Sequence, residues 1–415
     1  MKKLLLSVFT LSCFAGFSQW VYTGNNSSND VTYAFGKALA SDGVSSGLFS
    51  STDDGATWAP SNTGVPAQGL KFGTLSGATL YAHRNFSVFS SSTGNNWSVM
   101  ASALTSTSTI QSMTSLSGSV LAAVSPTSGV NIKIWQLNGA TWALKSSPAN
   151  SCIPTVFRNL GGTLYAGTTN TGVIKSTDGG MTFTGGLTGM PTQNIHKYTR
   201  SLASSGSTLY CGTAGGRIVR STDAGANWAT VYNIGDDNGF YGIYDIYVHT
   251  SSAVFCATDS GFVYTLNGGN TWLRYNTGLN FGNFENLMRS VTVSGAYIVA
   301  GINTTAGSGQ RVVRMPLSTI GLTVSTGVSE LSTEKLENKV YPNPTSGNVT
   351  IEVSDLTFND NCIVKLFDAM GREVTTTVMI GGKAELNLET YSKGLYTFTV
   401  SNKNTIASRG KLVVN

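Results

Sequence analysis

Short runs of alternating apolar and polar residues recur along most of the chain, each closed off by Gly, Ser or Asn. One stretch shows the form: Arg200-Ser201-Leu202-Ala203, a Ser/Gly turn, Leu209-Tyr210-Cys211-Gly212-Thr213, then Gly216-Arg217-Ile218-Val219-Arg220, with a further run from Trp228. A period of two over four to six residues places successive side chains on opposite faces of a strand, and it fits strands rather than helices. The pattern predicts a chain of many short antiparallel strands.

The unit repeats. Ser51-Thr52-Asp53-Asp54-Gly55-Ala56-Thr57-Trp58 returns as Ser176-Thr177-Asp178-Gly179-Gly180-Met181-Thr182-Phe183 and as Ser221-Thr222-Asp223-Ala224-Gly225-Ala226-Asn227-Trp228. A fourth copy has Asn267, Gly269 and Trp272 at the same places, and weakened copies end at Trp97 and Trp142. The aromatics at 58, 97, 142, 183, 228 and 272 lie 39, 45, 41, 45 and 44 residues apart. A period of about 43 suits one four-stranded propeller blade. These copies resemble the Asp-box of the bacterial-neuraminidase-type (BNR) repeat, found in sialidases, sortilin, xyloglucanases and photosystem II assembly propellers. The resemblance covers roughly residues 20–317 and implies a turn between the third and fourth strands of each blade. There the carboxylate can accept backbone N–H bonds and Gly can supply a positive φ. Recurrence at equivalent turns makes structure, rather than catalysis, the expected role of these Asp residues.

The last unit, Tyr297 to Arg314, ends in Met315-Pro316 without an aromatic box, whereas Trp20-Val21-Tyr22-Thr23-Gly24 resembles Trp272 to Gly278. The expectation is seven blades, the last closed by residues 20–24. Composition agrees: 48 Gly in 415 residues, 40% hydrophobic and only 11% charged. The net charge of +5 is spread without a basic run, so no nucleic-acid partner is indicated.

Charge is uneven, at 18 charged residues in 331–415 against 29 in 1–330. That step marks a domain boundary, with residues 318–339 as linker. Beyond it stand Val340-Tyr341-Pro342-Asn343-Pro344, Val364 to Val374 with Asp368, Gly371 and Arg372, Gly394 and Tyr396, and Lys411 near the end. In content and order residues 340–415 resemble the C-terminal type A sorting domain of the Bacteroidetes type IX secretion system. The resemblance implies a small Ig-like β-sandwich, an outer-membrane translocon and a sortase-like peptidase as partners, and a product released or attached at the cell surface. Residues 1–18 read as a secretory signal, with Lys2 and Lys3 before an apolar run and small residues ahead of Gln19. No segment is long and apolar enough to span a membrane as a helix. The expected architecture is therefore all-β: signal peptide 1–18, a seven-bladed β-propeller over 19–317, a linker, and an Ig-like sandwich.

Cys152, Cys211, Cys256 and Cys362 are too few for a disulfide scaffold, and Cys211 and Cys256 stand where another repeat has Ala166, as small buried residues would. No metal-ligand spacing occurs and no cofactor is indicated; Asp236-Asp237-Asn238-Gly239 lacks the spacing of an EF-hand loop. Stepping back nine residues from each second strand lands on Asn29, Lys71, Gln111, Thr155 (or Arg158), Arg200, Asp245 and Arg289, expected near the channel mouth. Lys71, Arg200, Asp245 and Arg289 are the candidate ligand-binding residues. They read either as a cationic pocket for a carboxylated or sulfated glycan, with Asp245 orienting the arginines, or as a self-neutralised hydrated lining. A sialidase-like glycoside hydrolase is the alternative. Glycoside hydrolysis generally needs two suitably spaced carboxylates, and Glu285 is the single Glu in 19–329. The function expected is an exported binding module for an extracellular glycan or protein.

Overall fold

The computed structural model describes residues 19–24, 28, 30–41, 47–65, 69–100, 108–126, 131–149, 152–185, 188–234, 241–279, 286–304, 312–322, 338–353, 362–368, 373–379, 382–402 and 405–415. The chain forms two compact units, Met1–Val324 and Ser325–Asn415. The signal segment, Asn29, the 236–239 turn, Glu285, Gly371 and Arg372 lie outside the described residues.

The first unit is a ring of seven antiparallel sheets. We number them as blades 1 to 7 by their first strands: Asp30–Ala34, Lys71–Ser76, Ser108–Leu116, Pro154–Leu160, Thr199–Ser205, Ile243–Val248 and Asn286–Ser294. Each first strand packs against that of the next blade, and the seventh against the first. The second strands have neighbours on both faces, so runs such as Leu209-Tyr210-Cys211-Gly212-Thr213 are buried throughout and near-continuously apolar or small. Cys152, Cys211 and Cys256 are free thiols in this packing.

Blade 7 is closed from the N-terminus. Val21–Gly24 pairs antiparallel with Val312–Pro316, bringing Val21 opposite Arg314 and Tyr22 opposite Val313. Blade 4 departs from the expected four strands. Among the described residues it has three, extended by a single bridge between Lys175 and Thr184.

Neighbouring blades share a latch. The Trp97 amide donates to the Thr63 carbonyl at 2.8 Å, the Trp228 amide to Thr188 at 2.8 Å, and the Trp20 amide to Thr277 at 2.9 Å. A glycine follows each threonine because the tryptophan backbone fills the space a side chain would need. A Cβ on Gly189 (φ +81°) would sit 1.9 Å from the Trp228 carbonyl oxygen. Trp20 thus occupies in blade 7 the place of the box tryptophan in blades 2 and 5.

The second unit has two sheets. One holds Asn338–Tyr341, Asn348–Val353 and Lys383–Asn387; the other holds Glu373–Val378, Cys362–Phe367, Gly394–Asn402 and Thr405–Val414. Alternation along Asn348–Val353 sends Val349, Ile351 and Val353 inward, onto Val364, Leu366, Phe398, Val400 and Leu412. This is the sandwich expected of residues 340–415.

Candidate functional site

A cavity of about 600 Å³ lies at the centre of the ring, and all seven blades line it. Lys71, Gln111, Thr155, Arg158, Arg200, Asp245 and Arg289 all reach its wall, joined by Asp30, Ser112, Ser201, Tyr244 and Ser290.

Two sets of positions alternate on this wall. One residue per first strand faces the second strand at an equivalent ladder step: Asp30 opposite Ser41, Lys71 opposite His83, Ser112 opposite Ala123, Val156 opposite Gly167, Ser201 opposite Gly212, Asp245 opposite Ala257 and Ser290 opposite Gly301. Five of them, Asp30, Lys71, Ser112, Ser201 and Asp245, stitch blades together. Asp30 Oδ2 accepts the Phe72 amide at 2.7 Å, Ser112 Oγ the Phe157 amide at 3.1 Å, and Asp245 Oδ2 the Val291 amide at 3.0 Å. Ser201 Oγ donates to the Ile243 carbonyl at 3.1 Å, and Lys71 Nζ to the Gln111 carbonyl at 3.3 Å.

The second set occupies β-bulges, where one residue steps out of the ladder: Gly73, Gln111, Thr155, Arg200, Tyr244 and Arg289. Three of these come from consecutive blades and meet. The Arg200 guanidinium lies 4.6 Å from the centroid of the Tyr244 ring and the Arg289 guanidinium 3.8 Å from it, with Tyr198 a further 5.1 Å from Arg200. Tyr244 is fixed in turn, because its hydroxyl donates to Asp259 Oδ2 at 3.0 Å, which also accepts the Gly242 amide at 2.6 Å.

The arginines are therefore oriented by an aromatic ring, and the expectation that Asp245 orients them is corrected. Asp245 spends Oδ1 on the Ile246 amide and Oδ2 on Val291, at 2.9 and 3.0 Å. The error is one of register. The nine-residue step reaches the bulge in blades 3, 4, 5 and 7, but the stitching position in blades 2 and 6. In blade 2 the bulge at Gly73 falls inside the counted stretch, and in blade 6 the connection after Val248 is one residue longer. Tyr244 escaped for that reason, since neither bulge nor loop length shows in alternation; in blade 1 the hairpin is regular and the step lands on Asn29, so Asp30 was passed over as the neighbouring residue, like Ser112 and Ser201.

Among the described residues, four cationic side chains and two carboxylates line the cavity. Burial pushes the Asp30 carboxyl up to about 7, the charge of Asp245 acts in the same direction, and Lys71 and Arg158 oppose them. Burial likewise raises Asp245 and lowers Lys71 and Arg158. A raised carboxylate binds its proton more tightly in the folded chain, so between the unfolded value near 4 and about 7 rising pH removes stability. The propeller's melting temperature is expected to fall by several degrees more between pH 5 and 8 in the wild type than in Asp30→Asn, which keeps the acceptor for Phe72. Parallel slopes in the two proteins would contradict a protonated Asp30.

The repeated Asp residues sit on the turns between third and fourth strands and each closes its own turn. Asp53 Oδ1 accepts from Ser51 Oγ and the Thr57 amide at 2.7 and 2.9 Å; Asp178 repeats this with Ser176 and Thr182, Asp223 with Ser221 and Asn227. Asn267 does the same with Thr265 and Thr271. Desolvation pushes the Asp53 carboxyl up, but the bonds from Thr57 and Ser51 together outweigh it and hold Asp53 down to about 2. Gly55, Gly180, Gly225 and Gly269 all have positive φ. Phe183 and Trp228 are buried behind them, while Trp58 and Trp272 are partly covered.

In the sandwich, Asn343 clamps the last strand, its amide donating to the Lys411 carbonyl at 3.1 Å and its carbonyl accepting the Val413 amide at 2.9 Å. Both flanking bonds, Tyr341-Pro342 and Asn343-Pro344, are cis. Tyr396 is buried with its hydroxyl on the Ser392 carbonyl at 2.8 Å, and Gly394 holds a positive φ at the start of the same strand. Asp368 ends the strand Cys362–Phe367.

Residues 339–415 match the family model described as the secretion system C-terminal sorting domain. The chain is a β-propeller carrying a type IX secretion sorting domain. Such tails mark proteins exported by type IX secretion to the cell surface or the medium, and no helix among the described residues is long and apolar enough to cross a membrane. No curated protein has a matching sequence. Among solved structures the chain is similar to PorZ, an essential surface component of the type IX secretion system of Porphyromonas gingivalis. There the identity is 15% and the TM-score 0.51, over 95% of this chain and 60% of that one. It is also similar to the extracellular domain of BT4673 from B. thetaiotaomicron, at 11% identity and TM-score 0.53, over 96% and 59%. YCF48 bound to D1 peptide gives 14% identity and TM-score 0.52, over 72% of this chain and 96% of that one. The chain thus spans about three fifths of the first two proteins, and at these identities the likeness is one of fold.

Proposed function

We propose that the propeller is an exported binding module whose ligand, an extracellular glycan or a protein, is held at the central cavity. The observation that carries this reading is the Arg200–Tyr244–Arg289 stack. Among the described residues, no carboxylate lies within ion-pairing distance of either guanidinium, and both are fixed by an aromatic ring beside open volume. Fixed donors lining a concave site favour binding, because little side-chain freedom is left to lose when a ligand arrives. YCF48, a propeller of similar fold, holds a peptide, and the same use of the fold is open to this chain. A hydrolase would need two disengaged carboxylates. Asp245 has both oxygens on backbone amides, and Asp259 has Oδ2 on the Gly242 amide and the Tyr244 hydroxyl while its Oδ1 is buried.

The sorting domain acts before that, engaging the outer-membrane translocon and a sortase-like peptidase that frees the propeller. The full chain on a glycan and peptide array is expected to retain its ligand without turnover, and the double variant Arg200→Gln/Arg289→Gln to lose at least tenfold of the signal. A ligand cleaved by wild type but not by Asp245→Asn would replace binding with hydrolysis. Retention undiminished in the double variant would move the site elsewhere.

A further inference from the structure

Resting on that reading of the cavity, we propose that its ligand presents two separate acid groups, one to Arg200 and one to Arg289. Charge is the first argument. Among the described residues Asp30 and Asp245 are the carboxylates of the wall, and both are turned to backbone amides of the next blade, on Phe72 and Val291. Lys71 reaches the Gln111 carbonyl and Arg158 Nη1 the Phe157 carbonyl, at 3.3 and 3.0 Å. Among the described residues Arg200 and Arg289 make no such commitment: each is held by ring faces and leaves its donors for something else. Arg200 Nε is moreover buried without a partner. Two close cations with no anion between them repel, and a ligand that supplies both negative charges removes that repulsion as it binds.

Geometry is the second argument. Tyr244 belongs to the blade between the two arginines and takes a guanidinium from the blade on each side, at 4.6 and 3.8 Å from its centroid. The ring acts as a spacer. It keeps the two planar forks from closing on one small anion, while the two distances end to end limit how far apart they stand. A carboxylate accepts a guanidinium fork in a bidentate manner. Two carboxylates on a short flexible linker would meet both forks, with the second contact made intramolecularly. Elsewhere on the wall the donors are engaged, Ser201 Oγ on the Ile243 carbonyl, Thr155 Oγ1 on the Thr199 carbonyl and Gln111 Nε2 on Ser125 Oγ, so the two guanidinium groups are what such a ligand meets.

The test is calorimetric titration of the full chain with acetate, succinate, glutarate, adipate and inorganic phosphate at constant ionic strength. One dicarboxylate is expected to bind at least tenfold more tightly than acetate, with a clear optimum of linker length. Arg200→Gln and Arg289→Gln should each bring it down to the acetate level. Tyr244→Leu should erase the length optimum while circular dichroism shows the fold intact. Equal binding of acetate and every dicarboxylate would overturn the two-group inference, as would phosphate outbinding them all, because both charges would then sit on one centre. An advantage that survives both arginine variants would overturn it too. The cavity reading itself fails differently, when a ligand captured on the array is retained by the double arginine variant.

Discussion

Deleting residues 19–26 is expected to lower the melting temperature of the propeller by about 10 °C or more, and Trp20→Ala to do most of this alone. Trp20 is 1% exposed. Its ring stands edge-on to Phe262 at 5.2 Å, its Nε1 donates to the Tyr275 carbonyl at 3.0 Å, and its amide closes the latch on Thr277. Truncating a buried Trp costs about 3–5 kcal/mol. Deletion adds the loss of the ladder with Val312–Pro316, whose outer edge is then open to water and to other chains. Trp58 loses a partner as well, since its Nε1 donates to Thr23 Oγ1 at 3.2 Å, so the damage reaches blade 1. Gly278→Ala tests the same contact from the other side: its Cβ would stand 2.3 Å from the Trp20 carbonyl oxygen at a φ of +90°. Thermal unfolding followed by circular dichroism and light scattering reads both effects. Blade 4, with three strands and one bridge, makes the alternative concrete. If blade 7 tolerates the same economy, the melting temperature of the deletion variant will not move.

Much of this architecture was legible because the signals that specify it are local and repeated. The Ser-Thr-Asp turns, the period of about 43 residues and the likeness of Trp20 to Trp272 each report one turn or one strand, and together they give seven blades and their closure. That the described residues of blade 4 form only three strands was not legible, because the segment beyond them follows a complete turn from Ser176 to Phe183 that looks like the others. The cavity was half legible. Counting placed Arg200 and Arg289 on its wall, since in blades 5 and 7 the hairpin length is regular. Counting failed by one residue at Tyr244, where a longer loop shifts the frame, and one residue on a strand is the difference between two faces. The change is chemical as well as geometric: a carboxylate between two arginines would have neutralised them, whereas an aromatic ring packs against them without cancelling their charge.

Deleting residues 411–415 is expected to reduce the surface-exposed or released protein at least tenfold and to leave the chain in the periplasm. Leu412 and Val414 are 0% and 4% exposed in the core of the sandwich. Burying such a side chain is worth about 1.5–3 kcal/mol, and a domain of this size has only about 5 kcal/mol of stability in reserve. The deletion also strips Asn343 of both its partners, on Lys411 and Val413, and removes the Thr345 amide's bond to the Val413 carbonyl and the Asn415 amide's bond to Thr345. The Pro342-Asn343-Pro344 segment and the last strand are thus two halves of one structure, and their joint presence in the sorting motif follows from that pairing. Asn343→Ala keeps the strand but removes the clamp, so its surface level should fall between wild type and the deletion. The propeller is a separate compact unit, and its melting transition should be unchanged in both variants. Cell fractionation with protease shaving measures the surface level, and calorimetry of the purified variants measures the propeller. Normal surface display of the deletion variant would show that export does not require a folded sandwich; a shifted propeller transition would show that the two units are coupled.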